Sequence, residues 1–221
     1  MSGARARPMS TDRESKPASV AAVRHGDALD VANLPSYGFG TRSLMWWGTA
    51  GMIAIEGVAF AFMIVIYFYL RSLSGTWPSS GASPDLLWGT VNLGLILLSA
   101  IPNTYIDKWA IEHDLRKVRV GLVIFSIFCL LMLIVRALEF TALNVRGDES
   151  AYGSTVWFLM GLHTFNLVTD VGDTLVLTAL MLKGPLEGKR FVDVAENSGY
   201  WDFIVVSWVP IYAVVYWAPR F

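Results

Sequence analysis

Apolar residues run in long, nearly unbroken stretches along this chain, separated by short polar segments. Five such stretches stand out, near Leu44 to Leu70, Leu86 to Tyr105, Val120 to Glu139, Ser154 to Leu182 and Gly199 to Trp217. A bilayer core about 30 Å thick is crossed by roughly 20 apolar residues in a helix. Within lipid the backbone must satisfy its own hydrogen bonds, and stretches of this length are too long for barrel strands, so the pattern predicts five transmembrane helices and an all-α bundle. Residues 1–43 break the pattern. They are rich in Ala, Ser, Asp and Arg, lack an apolar core followed by a small-residue cleavage site, and read as a polar, disordered tail. The expected organisation is therefore a tail over 1–43 and one membrane domain over 44–221. No internal repeat is visible, and the Trp77-Pro78 stretch with its Ser, Gly and Pro neighbours reads as a turn.

Composition agrees with that picture. The 221 residues are 54% hydrophobic and 13% aromatic, with mean hydropathy +0.49, too apolar for a domain whose whole surface meets water. The net charge of −1 gives no bulk attraction to nucleic acid. Where the charges stand says more. Arg5, Arg7, Arg13, Lys16, Arg24 and Arg42 precede the first span, Lys108, Arg116, Lys117 and Arg119 surround the second loop, and Lys183, Lys189 and Arg190 lie near the fourth. The other connections hold only Arg71, Arg146 and Arg220. This bias predicts a cytoplasmic N-terminus, and an odd number of spans then puts the C-terminus outside. Trp46, Trp47, Trp88, Trp109, Trp157, Tyr216 and Trp217, at the ends of spans, suit interfacial anchoring. Cys129 lies alone inside the third stretch and reads as a small packing residue.

Charges inside hydrocarbon cost about 2.5 kcal/mol or more at the bilayer centre, so those retained must face helices or water. Glu56 and Asp170 are predicted to share a depth, each about 18 Å from the inner face at about 1.5 Å per residue, and to approach each other. His163, Asn166, Asp170, Asp173 and Thr174 fall within an arc of about 100° on the fourth helix. That stripe suits either a proton or cation relay or a ladder of interhelical hydrogen bonds. Arg136 and Glu139 are spaced to pair on one face. Asp202, early in the fifth span, is expected near the level of Asp173, with Lys183, Lys189 or Arg190 reaching in as a cationic partner. Of the histidines His25, His113 and His163, only His163 lies in a span. Haem and copper centres require several converging ligands, so no catalytic or metal-binding residue is assigned. Triads, phosphate loops and zinc patterns are absent from the sequence.

Several of these residues carry a family resemblance. Gly51-Met52-Ile53 with Glu56, Trp77-Pro78, Arg136-Ala137-Leu138-Glu139-Phe140, Tyr152-Gly153-Ser154-Thr155, Gly161-Leu162-His163 and Tyr200-Trp201-Asp202-Phe203 resemble, in order, motifs of cytochrome c oxidase subunit III. The five-helix plan resembles the shorter bacterial form. Asn166, Asp202 and Val205 depart from the family pattern, where two histidines and an aspartate are expected, and Asp170 and Asp173 look like additions. The resemblance implies a non-catalytic subunit of a cytochrome c or quinol oxidase in a bacterial inner membrane. Its expected partners are oxidase subunit I, the other oxidase subunits and lipids, not nucleic acid. Phospholipid is the ligand expected on this chain, with haem and copper in the partner subunits, and Glu56, Glu139 and His163 carry over as family positions. Two alternatives stay open: an accessory protein of nitric oxide reductase with the same fold, and a small proton- or cation-conducting membrane protein.

Overall fold

The computed structural model describes residues 38–78, 83–184 and 188–221. Most of the predicted tail, residues 1–37, lies outside the described residues. Among those described, the architecture is wholly helical. Five helices are long and apolar enough to cross a membrane: α1 (Leu44–Leu73), α2 (Leu86–Ile111), α3 (Leu115–Thr141), α4 (Ala151–Lys183) and α5 (Lys189–Tyr212), the last prolonged by a π-helical turn at Ala213–Trp217 and a 3-10 turn at Ala218–Arg220.

Side chains that precede four of the helices fix where each begins. Ser43 accepts from the Met45 amide, Asp85 from Leu87, Asp114 from Lys117 and Ser150 from Gly153, each meeting an amide donor left open by the first turn. Gly153 also permits the tight entry into α4, since a Cβ there would run into the Arg146 carbonyl. Helices α2 and α3 form a hairpin through Glu112, His113 and Asp114, with His113 in the left-handed region at φ 57°.

The greatest departure from expectation is at α5. It begins at Lys189 rather than near Gly199, so Lys189 and Arg190 are helical residues and not loop residues. The segment Lys189–Ser198 is too polar to register as a span, yet Phe191, Val192 and Val194 are buried in the bundle. Likewise α2 runs past Tyr105 to Ile111, and α3 starts before Val120.

Packing makes α5 the central helix and α1 the peripheral one. Of the most apolar window of each, 56% is buried in α5 and 11% in α1. Helix α2 lies against α3 and α5, and α4 against α3 and α5, while α1 rests on α4 and α5 alone among the helix pairs in substantial contact. Ile55, Phe62 and Val65 of α1 and Ile124, Ile127 and Ile134 of α3 point outward, as befits surfaces whose solvent is lipid. Cys129 is fully buried. Arg220 closes the end opposite the α2–α3 hairpin by donating to the Pro84 carbonyl at 2.6 Å, and Arg71 donates to the Ala218 carbonyl at 3.1 Å.

Candidate functional site

The intramembrane polar residues separate into three places. The first is a sealed network around Arg136 and Glu139. Arg136 Nη1 lies 2.9 Å from Glu139 Oε2. That oxygen also accepts from Asn92 Nδ2 at 2.6 Å, and Tyr216 donates its hydroxyl to Oε1 at 2.6 Å. The guanidinium carbon stands 3.8 Å from the Trp208 ring centroid, a cation–π contact in a dry setting. Arg136 Nη2 lies 3.1 Å from His163 Nδ1, and His163 Nε2 lies 3.1 Å from the Ile204 carbonyl. A guanidinium only donates, so Nδ1 is the acceptor and Nε2 carries the proton. Both nitrogens of the one histidine in a span are thus engaged by protein.

Two residues here were not singled out from the sequence in this role. Asn92 is fully buried and donates to Glu139. Tyr216, expected in the interfacial belt, is 1% exposed and hydrogen-bonded to the same carboxylate. Gly89 makes room for it, since a Cβ there would strike the Tyr216 ring. Asn92 is legible by the same rule as a buried charge, being a polar residue in an apolar run. Tyr216 is not, because a tyrosine near a span end fits either role.

The second place is an open cleft between α1, α4 and α5. Glu56 Oε2 accepts from Asn166 Nδ2 at 3.1 Å and from the Tyr200 hydroxyl at 2.7 Å. Glu56 and Asp170 line one cavity of 470 Å³, together with Asp173, Asp193, Glu196 and Asn197. Of the predicted α4 stripe, His163, Asn166, Asp170 and Thr174 are buried, whereas Asp173 is exposed. The stripe also divides lengthwise. His163 belongs to the sealed network, Asn166 to Asp173 belong to the cleft, and Thr174 accepts from Asn197 Nδ2 at 3.0 Å.

Asp202 occupies the third place. It lines a separate cavity of 340 Å³ with Asp107 and Glu196. The expected cationic partner is replaced by Asn103, whose Nδ2 donates to Asp202 Oδ1 and to the Ser198 carbonyl, each at 2.9 Å. Arg190 instead approaches Asp193 Oδ2 at 3.5 Å. The early start of α5 is the reason, since it fixes Lys189 and Arg190 on the helix that carries Asp202 itself. Glu196 and Thr49 line both cavities, so the two acid-lined spaces meet beneath the first half of α1.

Among the described residues no three of His, Cys, Asp and Glu are grouped so as to hold a metal ion. The sealed network can hold helices in register, and the cleft can hold protons, water or a cationic group.

Comparison with known proteins adds a family to this geometry. A family model described as cytochrome c oxidase subunit III matches residues 42–219. Three proteins named cytochrome c oxidase subunit 3 are among the relatives. That of Chondrus crispus is 21% identical over 174 residues, covering 75% of this chain and 64% of its own length. That of Marchantia polymorpha is 24% identical over 174 residues, covering 75% and 66%. That of Candida parapsilosis is 24% identical over 166 residues, covering 71% and 61%. The chain thus spans just under two thirds of the length of these relatives.

Proposed function

This chain belongs to the cytochrome c oxidase subunit III family, and from that membership we propose that it is the non-catalytic third subunit of a haem-copper terminal oxidase in a bacterial inner membrane. The observation that carries the reading is the family match across all five helices, residues 42–219. In this role the chain packs against the catalytic subunit I, which holds the haem and copper, and supports assembly, durability and proton uptake. Phospholipid fills its cleft.

Two features of the molecule support the assignment. The sealed Arg136–Glu139–His163 network leaves no free imidazole nitrogen for a haem iron or copper within the spans. The acid-lined cavities lie at the end of the bundle where Lys108, Arg116, Lys117, Arg119, Lys183, Lys189 and Arg190 gather. The positive-inside rule makes that end cytoplasmic, the side from which an oxidase takes up protons. Carboxylates there can collect protons from water and pass them toward the partner.

The test compares membranes from cells with and without the chain. We expect an assembled core that reduces oxygen at first without it and loses turnover faster during continued catalysis. A correctly assembled core that is inactive from the first turnover without this chain would contradict the accessory role.

A further inference from the structure

Three buried oxygens face one cavity without a donor. Asp170 Oδ2, Asp193 Oδ1 and Asn197 Oδ1 have no hydrogen-bond partner among the described residues. Their residues are 4%, 8% and 7% exposed, and all three line the 470 Å³ cavity between α1, α4 and α5. Leaving a buried acceptor unmet costs about 1–3 kcal/mol, so three around one space point to a missing donor. A carboxylate and an amide oxygen can only accept. Glu56, Asp173 and Glu196 add further carboxylates to the lining, against Arg190 as its one basic residue. The donor must therefore carry positive charge.

The same residues do not suit a compact metal ion. No three His, Cys, Asp or Glu side chains are grouped closely enough for one among the described residues. Calcium and magnesium take about six or more oxygens at roughly 2.0–2.6 Å. A primary ammonium has three donors on a single point charge, and each reaches an acceptor at about 2.7–2.9 Å. It can serve oxygens set farther apart than a metal ion allows. Across from these acids the cavity wall is apolar and faces lipid. Met52 of α1 and Phe165 and Val176 of α4 line it and are 45%, 66% and 56% exposed. The volume falls within the roughly 300–1,000 Å³ of small-molecule pockets.

We propose that this cavity binds a primary alkylammonium group, its head among Asp170, Asp193 and Asn197 and its hydrocarbon along the apolar wall of α1 and α4. The inference deepens the lipid-binding part of the reading above and rests on it. It sets an order of preference by headgroup. An ethanolamine headgroup supplies three N–H donors and a positive charge. A choline headgroup supplies the charge and no donor, so the orphaned oxygens stay unmet. A glycerol headgroup supplies hydroxyls on a net anion, which the carboxylates repel. Asp170 and Asp173, which depart from the family's motifs, are part of this lining.

The experiment uses the chain in its native complex, placed in nanodiscs containing equal parts of ethanolamine, choline and glycerol phospholipid, then stripped into detergent. Retained lipid is quantified by mass spectrometry and haem by its optical spectrum. We expect the ethanolamine lipid to be retained about tenfold over the choline lipid, equivalent to ~1.4 kcal/mol. In the D170N/D193N variant that preference should vanish while haem content stays constant. Retention in proportion to the mixture, or a preference unchanged in the variant, would overturn the proposal. Should the variant not assemble, competition on the wild type decides. Dodecylamine should displace the retained lipid where spermidine does not, and failure of both amines to displace it would also overturn the proposal. Equal displacement by spermidine would identify a soluble amine as the source of the same ammonium chemistry. Haem absent from the wild-type sample would count against the oxidase assignment and leave the lipid result to be judged by itself.

Discussion

Arg136 and Glu139, one turn apart on α3 and each about 1% exposed, pair at 2.9 Å in the interior of the bundle. Every other contact of the sealed network is arranged around them. Asn92 brings in α2, His163 brings in α4, and Trp208 and Tyr216 bring in α5 and its continuation. One ion pair therefore ties together four of the five membrane helices.

Removing a single partner should be costly, because it leaves the other charge buried and alone. Arg136→Met is expected to destabilise by about 3–5 kcal/mol. The double variant R136M/E139L should recover much of that loss, since neither charge then remains. Thermal unfolding in detergent of the two variants and the wild type checks this. Equal loss in the single and double variants would contradict the account.

Gly89 and Tyr216 form a second, independent test of the same network. A Cβ at position 89 would strike the Tyr216 ring, which donates to Glu139. Gly89→Ala should therefore cost roughly 1–3 kcal/mol, the range for overpacking a fitted interior. The same substitution should be nearly silent when Tyr216 is already Ala. Additive losses in the double variant would show that the ring is not what Gly89 accommodates.

At Asp202 the donor is an amide. Asn103→Leu removes the hydrogen bonds to Asp202 Oδ1 and to the Ser198 carbonyl, and should loosen the α2–α5 contact by about 1–3 kcal/mol. Hydrogen exchange across Ser198 to Asp202 reads this directly. Substituting Arg190 should leave exchange there unaltered, because its carboxylate is that of Asp193.

Outside the membrane, Asp114 precedes α3 and is held below the usual carboxylate range by the side chain of Lys117, 2.8 Å away, and by that residue's backbone N–H. With a depressed folded pKa, its stabilisation of the first turn is present above the ordinary value of about 3.9 and lost as pH falls through the folded value. Its side-chain ¹³C shift should titrate below that ordinary value, and K117M should move the midpoint up. A midpoint at or above the ordinary value would contradict the pairing.

The five helices were legible because lipid imposes one rule on every residue of a span. Boundaries were less legible where polar residues are buried by protein. The Lys189–Ser198 segment looks like a loop to any hydropathy window, yet it is helix because α5 is enclosed by its neighbours at that level. The pairing of Arg136 with Glu139 followed from spacing alone. Its wider network did not, because Asn92, His163 and Tyr216 converge only through helix packing. The α4 stripe was legible as polar, but its division between a sealed interior and an open cleft depends on α1 standing away from the bundle. Asp202 was expected to need a cation because only charged partners were considered, and Asn103 supplies a donor without one.

The central claim is membership in an oxidase complex, and the most direct measurement is purification of the tagged full-length chain from membranes in mild detergent with an optical spectrum of what accompanies it. We predict stoichiometric haem at the spectrum of a haem-copper oxidase, in a complex that consumes oxygen, with none of the haem on this chain once it is dissociated. A haem-free homo-oligomer, or a complex that reduces nitric oxide and not oxygen, would contradict it.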